Sequence, residues 1–204
     1  AFSNHPQPGF QLASQGVSGV AAGEGDHTMY GAWVSPFYNQ TTQKARSSRA
    51  GFKSSTYGAT LGFDTQANAD LTVGVAGTYA KSDVKHKNFK SGDKTKGDTF
   101  AFSIYGIQQL TNNWFLQGHA AYATTRMKNS EKRITATTSE TARSEFDVTS
   151  YNAELLAGFN YSMGEAVVTP LVGASYTRIN NSGYTETGTT NQNLTVSSKA
   201  TNKF

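Results

Sequence analysis

The sequence predicts an all-β chain: an antiparallel transmembrane β-barrel of the outer-membrane type. Three observations carry that prediction. Apolar and small polar residues alternate with a period of two over runs of about ten residues, the length of a tilted strand crossing a bilayer. Long polar connections alternate with short turns along the whole chain, as in barrels with external loops at one end and tight turns at the other. No apolar run of about 18 residues offers a transmembrane helix instead.

The clearest element is the hairpin at 51–82. In its first arm Tyr57, Ala59, Leu61 and Phe63 alternate with Gly58, Thr60, Gly62 and Asp64. In its second, Leu71, Val73, Val75, Gly77 and Tyr79 alternate with Thr72, Gly74, Ala76, Thr78 and Ala80. The joint from Thr65 to Asp70 contains the turn formers Asn68 and Asp70. One face is therefore apolar, with aromatics near its ends. The other is small and polar with few charges, unlike a water-facing exterior rich in Lys and Glu.

Before this hairpin, residues 1–27 form no strand, because Pro6, Pro8 and Gly9 break any early helix and Gly16 and Gly19 weaken a later one. They read as a linker. Strand one is expected at 28–39, followed by a polar loop at 40–50 with Lys44, Arg46 and Arg49. A long loop is expected at 83–98, with Lys85, Lys87, Lys90, Lys94 and Lys96. Strand four at 99–108 sets Phe100, Phe102 and Ile104 against Ala101, Ser103 and Tyr105. After a turn at 109–113, strand five at 114–127 sets Trp114, Leu116 and Tyr122 against Phe115, Gln117 and His119. A second long loop is expected at 128–148. Strand six at 149–161 sets Tyr151, Leu155 and Phe159 against Asn152, Glu154 and Gly158. A short turn at 162–165 leads to strand seven at 166–179, with Val168, Val172, Ala174 and Tyr176 on the apolar side. Pro170 cannot donate a ladder bond and is expected at a strand start or bulge. A third polar loop spans 180–193, and the tail to Phe204 begins an eighth strand.

Composition agrees. Hydrophobic residues are 36%, yet Gly (20), Tyr (10) and Phe (12) are plentiful, as expected when half of each strand is apolar. The chain opens on Ala1 without a visible signal peptide, which reads as a processed or excised start. With Cys 0 there are no disulfides or thiolate metal sites. The net charge of +4 and pI ≈ 9.2 describe the expected loops.

Three stretches carry a family resemblance: Tyr30-Gly31-Ala32-Trp33-Val34-Ser35-Pro36-Phe37, Gly62-Phe63-Asp64, and YTETGTTNQNLTV from Tyr184 to Val196. They resemble the translocator domain of rickettsial surface-antigen autotransporters over about residues 18–204, the last stretch most specifically. The resemblance implies a type V secretion translocator in the bacterial outer membrane, a twelve-stranded barrel threaded by a helix, that carries its own passenger domain to the cell surface for host-cell adhesion and invasion. About eight of those strands are expected here, in 28–204, and the helix is represented only within 1–27. The alternative is a small eight-stranded outer-membrane adhesin or structural protein whose loops bind a host-cell surface ligand. Closure by pairing of the first and eighth strands would favour it.

The orientation expected from these readings is specific. Tyr57, Leu61, Phe63, Val73, Val75, Phe102, Ile104, Leu116, Tyr122, Leu155, Phe159, Val172 and Tyr176 face outer-membrane lipid. Gly58, Thr60, Gly62, Gly74, Thr78, His119, Asn152, Glu154, Gly158 and Gly173 face the lumen, where their small size either widens the interior or permits tight twisting of the wall. Ser103, His119 and Asn152 share the polar face, but no strained nucleophile turn or oxyanion loop accompanies them, so they read as lumen lining and the chain is not read as an enzyme. His5, His27 and His86 lack metal-ligand spacing, and neither metal nor cofactor is expected. The lysines of 81–96 read as a solvated loop or as a site for anionic headgroups or a polyanionic host surface. Phe204 reads either as the terminal signal recognised by the barrel-assembly machinery or as a residue inside strand eight. No phosphate-cradling glycine loop or basic–aromatic interleave points to nucleic acid.

Overall fold

The computed structural model describes residues 30–45, 50–134, 139–164 and 166–204. The linker expected at 1–27 lies outside them. Eight antiparallel strands form one meander: β1 (Tyr30–Gln43), β2 (Phe52–Asn68), β3 (Leu71–His86), β4 (Lys94–Gln109), β5 (Trp114–Ile134), β6 (Ser139–Phe159), β9 (Leu171–Asn181) and β12 (Lys199–Lys203), in that spatial order. Two small ribbons decorate it, β7 (Tyr161–Met163) with β8 (Ala166–Val168), and β10 (Tyr184–Thr185) with β11 (Thr195–Val196). The hydrogen-bonded order begins at β1 and ends at β12, so these strands carry the sheet's two edges.

Successive connections lie at opposite ends of the sheet, but length does not sort them as expected: β6–β9 (160–170), at the end of the β2–β3 and β4–β5 turns, is longer than β3–β4 (87–93) at the other end. The β2–β3 turn follows an irregularity between Gln66 and Asn68. There the Asn68 side-chain oxygen accepts the Asp70 N–H at 2.9 Å, the Asx arrangement that makes Asn a turn former. Gly164 takes φ 64° at the β7–β8 turn, a left-handed conformation that suits glycine.

Several expected boundaries are corrected. The loops expected at 83–98 and 128–148 are mostly strand: β3 runs to His86, β4 starts at Lys94, and β5 and β6 are 21 residues each. Only 87–93 remains as connection in the first case. These extensions carry polar residues at both parities, so they lack the apolar stripe that marks a strand. The strand expected at 166–179 is broken at Thr169–Pro170: β8 turns back on β7, and β9 pairs with β6 from Leu171. Pro170 thus immediately precedes the strand whose ladder it cannot enter. The 180–193 loop contains β10, and the eighth strand is confined to Lys199–Lys203.

No dry apolar centre exists among the described residues. The buried hydrophobic residues are alanines: Ala76, Ala80, Ala123 and Ala142. Large apolar side chains project from the other face, with Tyr57 53%, Leu61 52%, Leu155 53% and Val172 71% exposed.

Candidate functional site

Register fixes what each face presents. On the apolar face Leu61, Gly77, Phe102, Tyr122 and Tyr151 form one line across five strands. Tyr57, Phe63, Val73, Val75, Ile104, Leu116, Leu155, Phe159, Val172 and Tyr176 share its parity. Phe204 packs its ring against Tyr176 with centroids 5.0 Å apart.

On the apolar face, the topmost aromatic of β2, β3, β4, β5, β6 and β9, counted towards the β3–β4 connection, traces a staircase. Tyr79 pairs with Phe100, and Tyr122 with Tyr151, with ring centroids 4.7 and 5.2 Å apart. Tyr57 lies opposite Lys81, two residues beyond Tyr79. Phe100 lies opposite Thr124, two beyond Tyr122, and Tyr151 opposite Arg178, two beyond Tyr176. The boundary therefore drops two residues every second strand. A drop of about 6.6 Å over two interstrand spacings of about 4.8 Å is a tilt of about 35°. At the turn end, Trp114 and Phe159 pair at 4.9 Å. Eight residue steps from Trp114 to Tyr122 cover about 26 Å of strand, or about 22 Å after tilting.

The polar face shows a further use of its small residues. Its glycines are seats for large side chains on neighbouring strands. A Cβ on Gly62 would strike the Trp33 indole, one on Gly74 the Tyr105 ring, one on Gly158 the Phe115 ring, and one on Gly173 the Leu156 side chain. At Gly58 the nearest side-chain obstacle is the Phe37 ring, at 2.8 Å. Asp64 ties two of these rings together: its Oδ2 accepts from Trp33 Nε1 and from the Tyr105 hydroxyl, each at 3.0 Å. Hydroxyl pairs cross the ladder between Thr60 and Thr78 (2.8 Å), Thr56 and Ser82 (2.9 Å), and Thr99 and Thr125 (2.8 Å).

The polar candidates are dispersed. Ser103 and Asn152 lie in one row separated by Ala121, while His119 lies between Tyr105 and Glu154 in the next. No hydrogen bond joins the three among the described residues. Asn152 donates to Thr177 Oγ1 at 3.0 Å instead.

At the far end, the segment after β9 follows the exposed edge of β6. Arg143 and Thr187 exchange backbone hydrogen bonds of 2.8 and 2.9 Å, covering an edge that would otherwise invite foreign strands. Its side chains reach over the polar face. Glu186, 5% exposed, accepts from Arg133 Nη2 at 3.0 and 3.1 Å and from the Leu194 N–H at 3.0 Å. Arg133 also donates to Glu131 at 2.7 Å. That bond holds the Glu131 carboxyl below its usual range and, with Glu186, raises the guanidinium. Thr190 donates to Glu140 at 2.6 Å, and Tyr184 stacks on Phe146 at 4.6 Å.

Sequence reasoning singled out neither the Trp33–Asp64–Tyr105 cluster nor the Arg133–Glu186 contact. Parity alone places the first three on the glycine side. Bringing them together needs the register.

A tilted, antiparallel meander with an exposed aromatic-edged apolar face and a hydroxyl-lined opposite face defines a β-barrel wall of the outer-membrane class. The comparisons make this particular. The autotransporter beta-domain family model matches residues 32–204. Outer membrane protein A of Rickettsia rickettsii is 42% identical over 193 residues, 91% of this chain and 9% of that protein. Outer membrane protein B of the same organism is 38% identical over 188 residues, 88% of this chain and 11% of that protein. The translocator domain of the autotransporter NalP from Neisseria meningitidis has the same fold, with TM-score 0.68 and 17% identity over 88% of this chain and 59% of that one. The chain belongs to the autotransporter beta-domain family, and it spans about a tenth of the length of its curated relatives.

Proposed function

We propose that residues 28–204 form part of the wall of a conduit in the bacterial outer membrane, through which a passenger domain reaches the cell surface, with 1–27 as the linker. The apolar face, Tyr57, Leu61, Phe63, Val73, Val75, Phe102, Ile104, Leu116, Tyr122, Leu155, Phe159, Val172 and Tyr176, meets lipid. The face bearing Gly58, Thr60, Gly62, Gly74, Thr78, His119, Asn152, Glu154, Gly158 and Gly173 meets the lumen. The wall acts by position and polarity, without catalysis or cofactor. Insertion by the barrel-assembly machinery and contact of the external loops with a host surface belong to the same proposal.

The aromatic staircase carries this reading. Aromatic rings favour the membrane interface, and strands of such barrels tilt by about 35–45° around an apolar band about 25 Å tall. Rings stepping down at about 35° are level in the membrane plane. A closed eight-stranded adhesin would need β1 to pair with β12, and their separate edges favour the conduit.

The absence of cysteine allows a direct test. Single cysteines replacing Leu61, Ile104 and Leu155, or Thr60, Ser103 and Asn152, are labelled with a fluorophore after reconstitution in phosphatidylcholine vesicles. Quenching by nitroxide-bearing lipid is expected at the first three and not at the second. The opposite pattern refutes the orientation.

A further inference from the structure

Beyond the staircase the apolar-parity side chains become charged, and on β2, β3 and β4 they are mainly lysines. Lys53 lies directly opposite Lys85, and Lys85 opposite Lys94. Lys96 lies in the next row, opposite Asp83. Directly opposed side chains on a ladder have Cβ atoms about 5 Å apart, where like charges oppose pairing. On β5 and β6 acids relieve the same crowding: Arg126 lies 3.4 Å from Glu145 and 3.6 Å from Asp147, and Lys128 lies 3.7 Å from Glu145. Lys81 is matched by Asp98 at 3.9 Å. Lys53, Lys85, Lys94 and Lys96 are exposed and have no ion pair among the described residues. Asp83 is the one carboxylate in their two rows on these strands, and one of its oxygens is buried without a hydrogen-bond partner.

We propose that this lysine row binds a multiply phosphorylated glycolipid of the outer leaflet. The inference rests on the orientation proposed above. The lysines leave the same face as Tyr57, Leu61 and Phe102, so a lipid whose chains lie against that face presents its headgroup to them. Lys53 and Lys96 stand four residues beyond Tyr57 and Phe100, and Lys85 and Lys94 six beyond Tyr79 and Phe100. These are heights of about 13 and 20 Å along the strand. A simple glycerophospholipid has its phosphate near the aromatic level. Anions at two greater heights call for a tall saccharide headgroup with several phosphates.

The 204-residue chain, reconstituted in phosphatidylcholine vesicles, is titrated with a bis-phosphorylated diglucosamine lipid or its dephosphorylated form, and retained lipid is counted by native mass spectrometry after extraction. The phosphorylated form is expected to be retained selectively. The K53Q/K85Q/K94Q variant should weaken retention on the order of a hundredfold at low salt, while folding at least as well in neutral lipid because like charges have been removed. Equal retention of the two lipids, or equal retention by variant and parent, overturns the proposal. Competition by millimolar inorganic phosphate also overturns it, in favour of a free-phosphate site. The cysteine–nitroxide measurement in neutral vesicles separates the two readings: lipid-facing Leu61 without phosphate selectivity refutes only the headgroup site.

Discussion

Replacing Glu186 by alanine should release the segment that follows β9 while leaving the rest of the sheet in place. Glu186 takes two hydrogen bonds from Arg133 and one from the Leu194 amide, and almost none of it reaches solvent. A hydrogen bond to a charged group contributes about 1.5–3 kcal/mol net. Arg133 retains Glu131 and is partly exposed, which limits the loss below that of a fully stranded buried charge, about 3–5 kcal/mol. Anchoring should therefore weaken by about 2–3 kcal/mol, raising the population of the open segment about 30- to 150-fold. Native-state hydrogen exchange reads this at the Thr187 and Arg143 amides, which donate to each other's carbonyls across the edge of β6. Both should exchange faster by that factor, while Gly77 in β3 stays unchanged. Unaltered exchange at Thr187 would falsify the idea that the side-chain contact, and not the backbone bridge alone, holds this segment down.

Two further outcomes follow from the polar face and its distal end. Gly74→Leu should lower the urea midpoint, measured by heat-modifiable gel mobility, by an amount equivalent to about 1–3 kcal/mol. The new side chain would occupy the place of the Tyr105 ring and break its bond to Asp64, whereas Gly77→Leu, which meets nothing within 4 Å, should be tolerated. The outer end of β5 should respond to acid in one direction. Glu131 is held below its usual range by the Arg133 hydrogen bond, so its stabilisation is fully present above the unfolded carboxyl value of about 4.3 and fades as pH falls through the lower folded value. The urea midpoint measured against pH should stay level down to about pH 5 and fall only below it, and Glu131→Gln should flatten that acidic fall.

The strands that cross the apolar band were legible because apolar side chains hold one parity and small polar ones the other, and Tyr57 to Phe63 or Tyr151 to Phe159 show that contrast residue by residue. The outer stretches of β5 and β6 were not. From Lys128 to Ile134 and from Ser139 to Asp147 polar residues occupy both parities, so no periodicity separates strand from loop, and only cross-strand pairing reveals one. The break at Thr169–Pro170 was announced by proline's missing donor. The staircase and the Trp33–Asp64–Tyr105 cluster were hidden for a different reason. The cluster joins residues 31 to 72 positions apart and the staircase joins neighbouring strands through their pairing alone, so a slip of two residues in the β2–β3 or β3–β4 ladder would preserve every side chain's face while dissolving both.

That dependence on register explains how one residue type serves both faces. Gly77 on the apolar face has open space around it, and Gly118 meets only Leu155 at 3.9 Å. Gly62, Gly74 and Gly158 on the polar face are each covered by a ring from an adjoining strand. An aromatic side chain on the polar face could stand away from the sheet, projecting about 6–7 Å into the space beyond it. A glycine beside it leaves room for the ring over its own position instead. Asp64 then fixes two such rings through their N–H and O–H groups. The wall gains packing that a face made only of Gly and Thr would lack, without giving up the width that the small residues provide. Aromatic bulk on the polar face is therefore compatible with a conduit because the ladders bring glycine and ring side by side.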